Sequence, residues 1–279
     1  MTHTRRHFIR IVPTLGAFAV APHLAVAQTP GEDPVWPAAE PARGTPVDES
    51  FPSVHPALAK EIVGVSHSNL ARVKELVQQH PALAKASFDW GYGDAETALG
   101  AASHVGRREI AEFLLANGAP PTLFSATMLG QLDVVKAFMD ATPGLQRMRG
   151  PHGISLMTHA KAGGPPAAAV VKYLEGLGDA DLPLTNEPLA AEDRAQVEGR
   201  YRFGDRPRDT FVMSSPPPQN APGLERLGAT RQRLLHLGNL EFHPVGSPAV
   251  RIRFEREGGK IVALTVSDPD LIVRARKIA

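Results

Sequence analysis

The sequence predicts an α + β fold in separate domains: an α solenoid of stacked helix pairs, followed by a small antiparallel β barrel or curved sheet. Two observations carry this. Between residues 57 and 181 short helical patterns recur in pairs parted by a glycine or asparagine, and such pairs bury their apolar faces only against neighbours of the same kind. After residue 196 the apolar period changes from 3.6 to 2.

Residues 1–27 join a basic start, an apolar run from Ile11 to about Ala25, and the small-residue end Ala25-Val26-Ala27. That order predicts a secretory signal peptide whose apolar run is too short for a membrane span of about 20 residues. Thr4-Arg5-Arg6-His7-Phe8 resembles the twin-arginine signature, which assigns Arg5, Arg6 and Phe8 to signal recognition and the mature chain to the periplasm or the exterior. Residues 28–56 hold seven prolines among small and acidic residues, and they predict an extended spacer in which Trp36 has the most to gain from docking.

The best helix pair runs from Glu96 to Pro120. Leu99 and Ala102 face one side of a first helix that closes at Gly106, and Ile110, Phe113, Leu114 and Leu115 fill a second that stops at Asn117-Gly118. Shifting the frame forward aligns Leu123, Ala126, Gly130, Val134, Val135, Phe138 and Met139. Shifting it back aligns Val65, Asn69, Val73, Leu76 and Val77, and a weaker copy follows Gly153 as far as Leu174. This frame resembles the ankyrin repeat, with Ala98 where the family has proline and Gly100 where it has histidine. The resemblance implies a protein-binding solenoid at residues 57–181 whose inter-repeat fingers line a concave face. The finger Phe88-Asp89-Trp90-Gly91-Tyr92 then offers Phe88, Asp89, Trp90 and Tyr92 as partner contacts, since rigid aromatics bury area at low entropy cost. Arg149 and His152 lie on the equivalent basic finger. Phe88 and Trp90 have a competing intramolecular role, capping the stack or packing on the C-terminal domain.

Residues 182–195 form a linker that ends in a short helix. In residues 196–279 eight strands are predicted, beginning at Arg200, Asp209, Leu224, Arg233, Leu240, Ala249, Lys260 and Leu271. Val250, Ile252 and Phe254 alternate with Arg251, Arg253 and Glu255, so one face is buried and the other wet. Gly238-Asn239 and Gly258-Gly259 read as two-residue hairpin turns.

Chemistry is harder to find. His236, Glu241 and His243 fall on adjacent strands without a third ligand, Ser66-His67-Ser68 lacks the context of a nucleophile, and His159 reads as structural. No catalytic residue, metal site or cofactor is predicted, and the absence of cysteine excludes thiolate chemistry. Formal charge is +1; without Arg5, Arg6 and Arg10, 27 basic residues face 29 acidic ones, a balance that suggests neither a nucleic-acid nor an anionic-membrane partner. The expected function is non-enzymatic binding of another envelope protein. The alternative is an enzyme or small-ligand binder with its site in the β domain.

Overall fold

Polar side chains just ahead of apolar runs start five of the helices, and this breaks the N-terminal half into short pieces. The computed structural model describes residues 50–269 and 271–278, which belong to one compact unit, Asp48–Ala279. Arg5, Arg6, Phe8, the Ala-x-Ala site and Trp36 lie outside the described residues. The His55 ring accepts from the Ala57 amide to open α1 (Pro56–Val65), and Asn69 accepts from Arg72 to open α2 (Leu70–Gln79). Thr97 caps α3 (Ala98–His104), which is followed by α4 (Arg108–Ala116). Thr122 and Ser125 form a reciprocal capping box on α5 (Leu123–Met128), ahead of α6 (Leu132–Ala141). Ser155 caps α7 (Leu156–Ala162), and α8 (Ala168–Leu177) completes the layer. Before α3 stands a two-stranded finger, β1 (Ser87–Asp89) paired with β2 (Ala95–Thr97). Among the described residues, no helix is long and apolar enough to cross a membrane.

The ankyrin-like solenoid is corrected here. α1, α3, α5 and α7 lie side by side with α2, α4, α6 and α8 behind them, but α1, α3, α5 and α7 begin at residues 56, 98, 123 and 156, separations of 42, 25 and 33 residues. A repeat array keeps one period. Only the connection before α3 is a two-stranded finger among the described residues; the stretch carrying Arg149 makes a single bridge, Arg149 to Ser155. The buried apolar residues of the helical part also fall into two clusters. One is centred on Ile62, Leu76, Leu99 and Leu114, the other on Val135, Leu156, Val170 and Leu174. Helical periodicity alone could not reveal this, because it reports which face is apolar and not what covers it.

The antiparallel part of the expectation fits in part: the sheet is a closed barrel of eight strands. After α9 (Ala191–Val197) come β3 (Gly199–Arg202), β4 (Thr210–Ser214), β5 (Gly223–Arg226), β6 (Gln232–Gly238), β7 (Glu241–Pro244), β8 (Arg251–Glu257), β9 (Lys260–Asp268) and β10 (Leu271–Lys277), with β10 pairing β3 to close the ring. Closure removes exposed edges. The largely aliphatic core holds an aromatic group, with Phe254 edge-on to both Tyr201 and Phe242 at ring separations of 5.6 Å. Gly258 and Gly259 both take positive φ in the β8–β9 turn. The β6–β7 turn falls one residue later than predicted. Gly238 pairs with Glu241, and Asn239 and Leu240 carry the positive φ, because a bulge between His236 and Gly238 absorbs the extra residue.

Helix α9 is fastened to the barrel by the fully buried Tyr201, whose hydroxyl donates to the Val197 carbonyl at 2.6 Å. Burial also pushes the phenol's pKa upward, so it stays a donor. Tyr201→Phe leaves that carbonyl without its donor and is expected to cost about 1–3 kcal/mol, read as a lower denaturant midpoint at unchanged slope.

Candidate metal centre

Two neighbouring elements, β2 and α3, and the distant end of α1 converge where the finger meets the ends of α1 and α3. Glu96 stands opposite Phe88 in the finger, and its side chain turns inward to complete burial at 0% exposure. His104 is the last residue of α3, and His67 follows the end of α1. His67 Nδ1 lies 3.1 Å from the Val63 carbonyl and 3.0 Å from that of Gly64. Carbonyls only accept, so Nδ1 carries the proton and Nε2 of the neutral ring presents a lone pair.

That lone pair faces His104 Nε2 at 3.0 Å. His104 Nε2 is also 2.8 Å from Glu96 Oε1, and His67 Nε2 is 3.8 Å from Glu96 Oε2. One ligand atom from each of the three residues lies within 4.8 Å of the others. Although His104 Nε2 is close to Glu96 Oε1, the two do not align as donor and acceptor: Oε1 is buried with no hydrogen-bond partner among the described residues. Donors bound tetrahedrally at about 2.0–2.1 Å from a common ion stand roughly 3.3 Å apart, close to the observed spacings. Two imidazoles and one carboxylate suit zinc and its first-row neighbours.

The surroundings orient this triad. Glu96 Oε2 accepts from the Trp90 indole at 2.9 Å and lies 3.4 Å from His152 Nε2. His152 is gripped by Asp94, which takes its Nδ1 and its backbone amide, each at 2.8 Å. Burial alone would raise the pKa of Glu96, but His104 and His152 outweigh it and hold the carboxyl down at about 2. Asp94 foremost, and then Glu96, push His152 up to about 9, so it is a cation at neutral pH. Burial drives His159, packed on Phe124 and beside His104, down to about 4, which keeps it neutral.

The barrel closes the site from the other side. The Gln232 amide donates to the Trp90 carbonyl at 2.6 Å, and Ser247 donates to that of Tyr92 at 2.8 Å. Gly246 sits so tightly on Asp94 that a Cβ there would lie 2.3–2.5 Å from the carboxylate. His152 and Tyr92 both take left-handed backbone at φ 58°, strain of the kind that functional sites hold. Between the finger and the barrel opens a cleft of about 490 Å³, lined by His67, Trp90, Asp94 and His152 on one side and by Arg231, Arg233 and Val245 on the other.

The residues proposed for partner binding occupy mixed positions. Asp89 is exposed; Phe88 packs half-buried against the helical core, edge-on to Trp90 at 4.9 Å; Tyr92 packs into the barrel core. Trp90 and His152 belong to the cluster described above, and Arg149 gives its guanidinium to the carbonyls of Gly153 and Leu182. The barrel histidines stay apart. His236 stacks on Phe242 at 4.8 Å and holds the carbonyls of Glu187 and Pro188, His243 Nδ1 lies against the Pro244 carbonyl, and Glu241 pairs with Arg251 and Arg253. Sequence reasoning passed over Glu96 and His104 because both sit in slots of the helix-pair frame. The available signal was a charged residue and a histidine flanking a helix as apolar as ALGAAS. No protein-family model matches the chain, and no curated protein matches it.

Proposed function

We propose that the protein holds a divalent transition-metal ion of the zinc type on His67, His104 and Glu96, and uses it as a metal-dependent enzyme acting on a small molecule in the cleft. The observation that carries this reading is the convergence of two imidazole nitrogens on one buried carboxylate, His104 Nε2 at 2.8 Å from Oε1 and His67 Nε2 at 3.8 Å from Oε2. Three protein ligands, of which His67 also lines the cleft, suit a catalytic site, since structural zinc is closed by four. Such an ion supplies Lewis-acid polarisation and activation of bound water. His152, held cationic by Asp94, is placed beside the ligand carboxylate and steadies its charge.

Equilibrium dialysis of untagged protein against zinc tests the reading. One tight ion per chain is expected, and loss of that ion in His67→Ala and in His104→Ala. Absence of a tight ion, or undiminished binding in both variants, rejects it.

A protein partner in the cell envelope is the second reading. It is favoured by Val134 and Phe138, exposed four residues apart on α6, rather than by the finger. Export through the signal at residues 1–27 would place either activity in the periplasm.

A further inference from the structure

The charge inventory of the cleft is unbalanced. Asp94 is its one lining carboxylate among the described residues, and both its oxygens are taken by His152. On the barrel side, Arg231 gives its guanidinium to the carbonyls of Ser214 and Ala221 and to the Ser214 hydroxyl, which are neutral acceptors. The adjacent Arg233, on β6, is exposed, lines the cleft, and makes no ion pair or side-chain hydrogen bond among the described residues. Arg231 feels the charge of Glu225, outside the cleft lining, but Arg233 has no carboxylate partner among the described residues, and a bound metal ion would add to the positive charge. A cleft with walls of one sign concentrates ligands of the other.

We propose that the cleft takes an oxyanion, a carboxylate or phosphate group of a small molecule, held by the free Arg233 guanidinium while the anion or its neighbouring atoms meet the metal held by His67, His104 and Glu96. This rests on the metal-centre reading. Arg233 suits the role because its planar donors pair with an oxyanion two at a time, whereas Arg231 is already spent on backbone acceptors. The anion supplies the charge that the barrel wall lacks, and Arg233 would hold it in the cleft that His67 also lines.

Cobalt(II) in place of zinc gives a visible spectrum that reports on groups entering the metal's coordination. The cobalt-loaded wild type is titrated with acetate and, separately, with inorganic phosphate, and Arg233→Gln and Arg233→Lys are treated alike. At least one anion should shift the spectrum saturably. Arg233→Gln should weaken that anion tenfold or more with cobalt affinity unchanged, and Arg233→Lys should restore part of the loss. The responding anion identifies the group as carboxylate or phosphate. Failure of both anions to shift the wild-type spectrum, or equal affinity in Arg233→Gln, overturns the assignment of Arg233 while leaving the metal centre standing. Failure of cobalt itself to bind overturns the metal centre and this inference with it.

Discussion

Glu96→Gln should abolish the thermal stabilisation that zinc gives the wild-type protein. The substitution keeps the shape of the side chain, its contact with Trp90 and its burial, but it removes the anionic oxygen shared with His67 and His104. Ligands bind metal as anions or lone pairs, and even changes one shell further out cost 10–100-fold in affinity. Loss of the carboxylate should therefore weaken zinc by roughly a hundredfold or more. With zinc at 100 times its dissociation constant, the wild type gains about 2.7 kcal/mol. At about 2–4 °C per kcal/mol for a chain of this size, that is a rise in Tm of roughly 5–11 °C. Glu96→Gln should show almost none of it, and His80→Ala, which removes an exposed histidine, should keep all of it. Equal zinc responses in the three proteins would remove Glu96 from the site.

Gly106→Ala should be among the most destabilising single-methyl changes in the chain. Gly106 follows the end of α3 in left-handed backbone at φ 72°, and a Cβ there would stand 2.1 Å from the carbonyl oxygen of Ala162 at the end of α7. Strain and steric overlap fall on backbone atoms, so no rotamer relieves them. A loss on the order of 3 kcal/mol follows, or a fall in Tm of roughly 6–12 °C. Gly64→Ala provides the opposite sign. Gly64 lies inside α1 with nothing within 4 Å of its would-be Cβ, so added helix propensity should stabilise by about 0.5–1 kcal/mol. A Gly106→Ala protein that melts with the wild type would mean that α3 and α7 do not approach as described.

The barrel was largely legible because alternation is a local signal. Val250, Ile252 and Phe254 point inward for the same reason that Arg251 and Arg253 point out, and Gly258-Gly259 has few conformations besides a tight hairpin turn. Closure was only one of two options, since the pairing of β10 with β3 joins residues more than 70 positions apart and leaves no local trace. The helices were legible one at a time and misread together. Gly106 and Gly130 in matching slots suggested a period, but the spacing of the inner helices varies, and no local pattern encodes how far apart two helices start. The metal ligands were hidden for a related reason. His67 and His104 belong to different helix ends, Glu96 to a strand of three residues, and no ligand motif has their spacing. Only the packing of α1 on α3, with the finger laid across both, brings the three together.

X-ray absorption at the zinc edge of the loaded protein tests the central claim most directly. A first shell of two imidazole nitrogens and carboxylate or water oxygen at about 2.0–2.1 Å is predicted, and His104→Ala should lose that shell together with the ion. A shell of oxygen alone, or one that His104→Ala leaves unchanged, would contradict it.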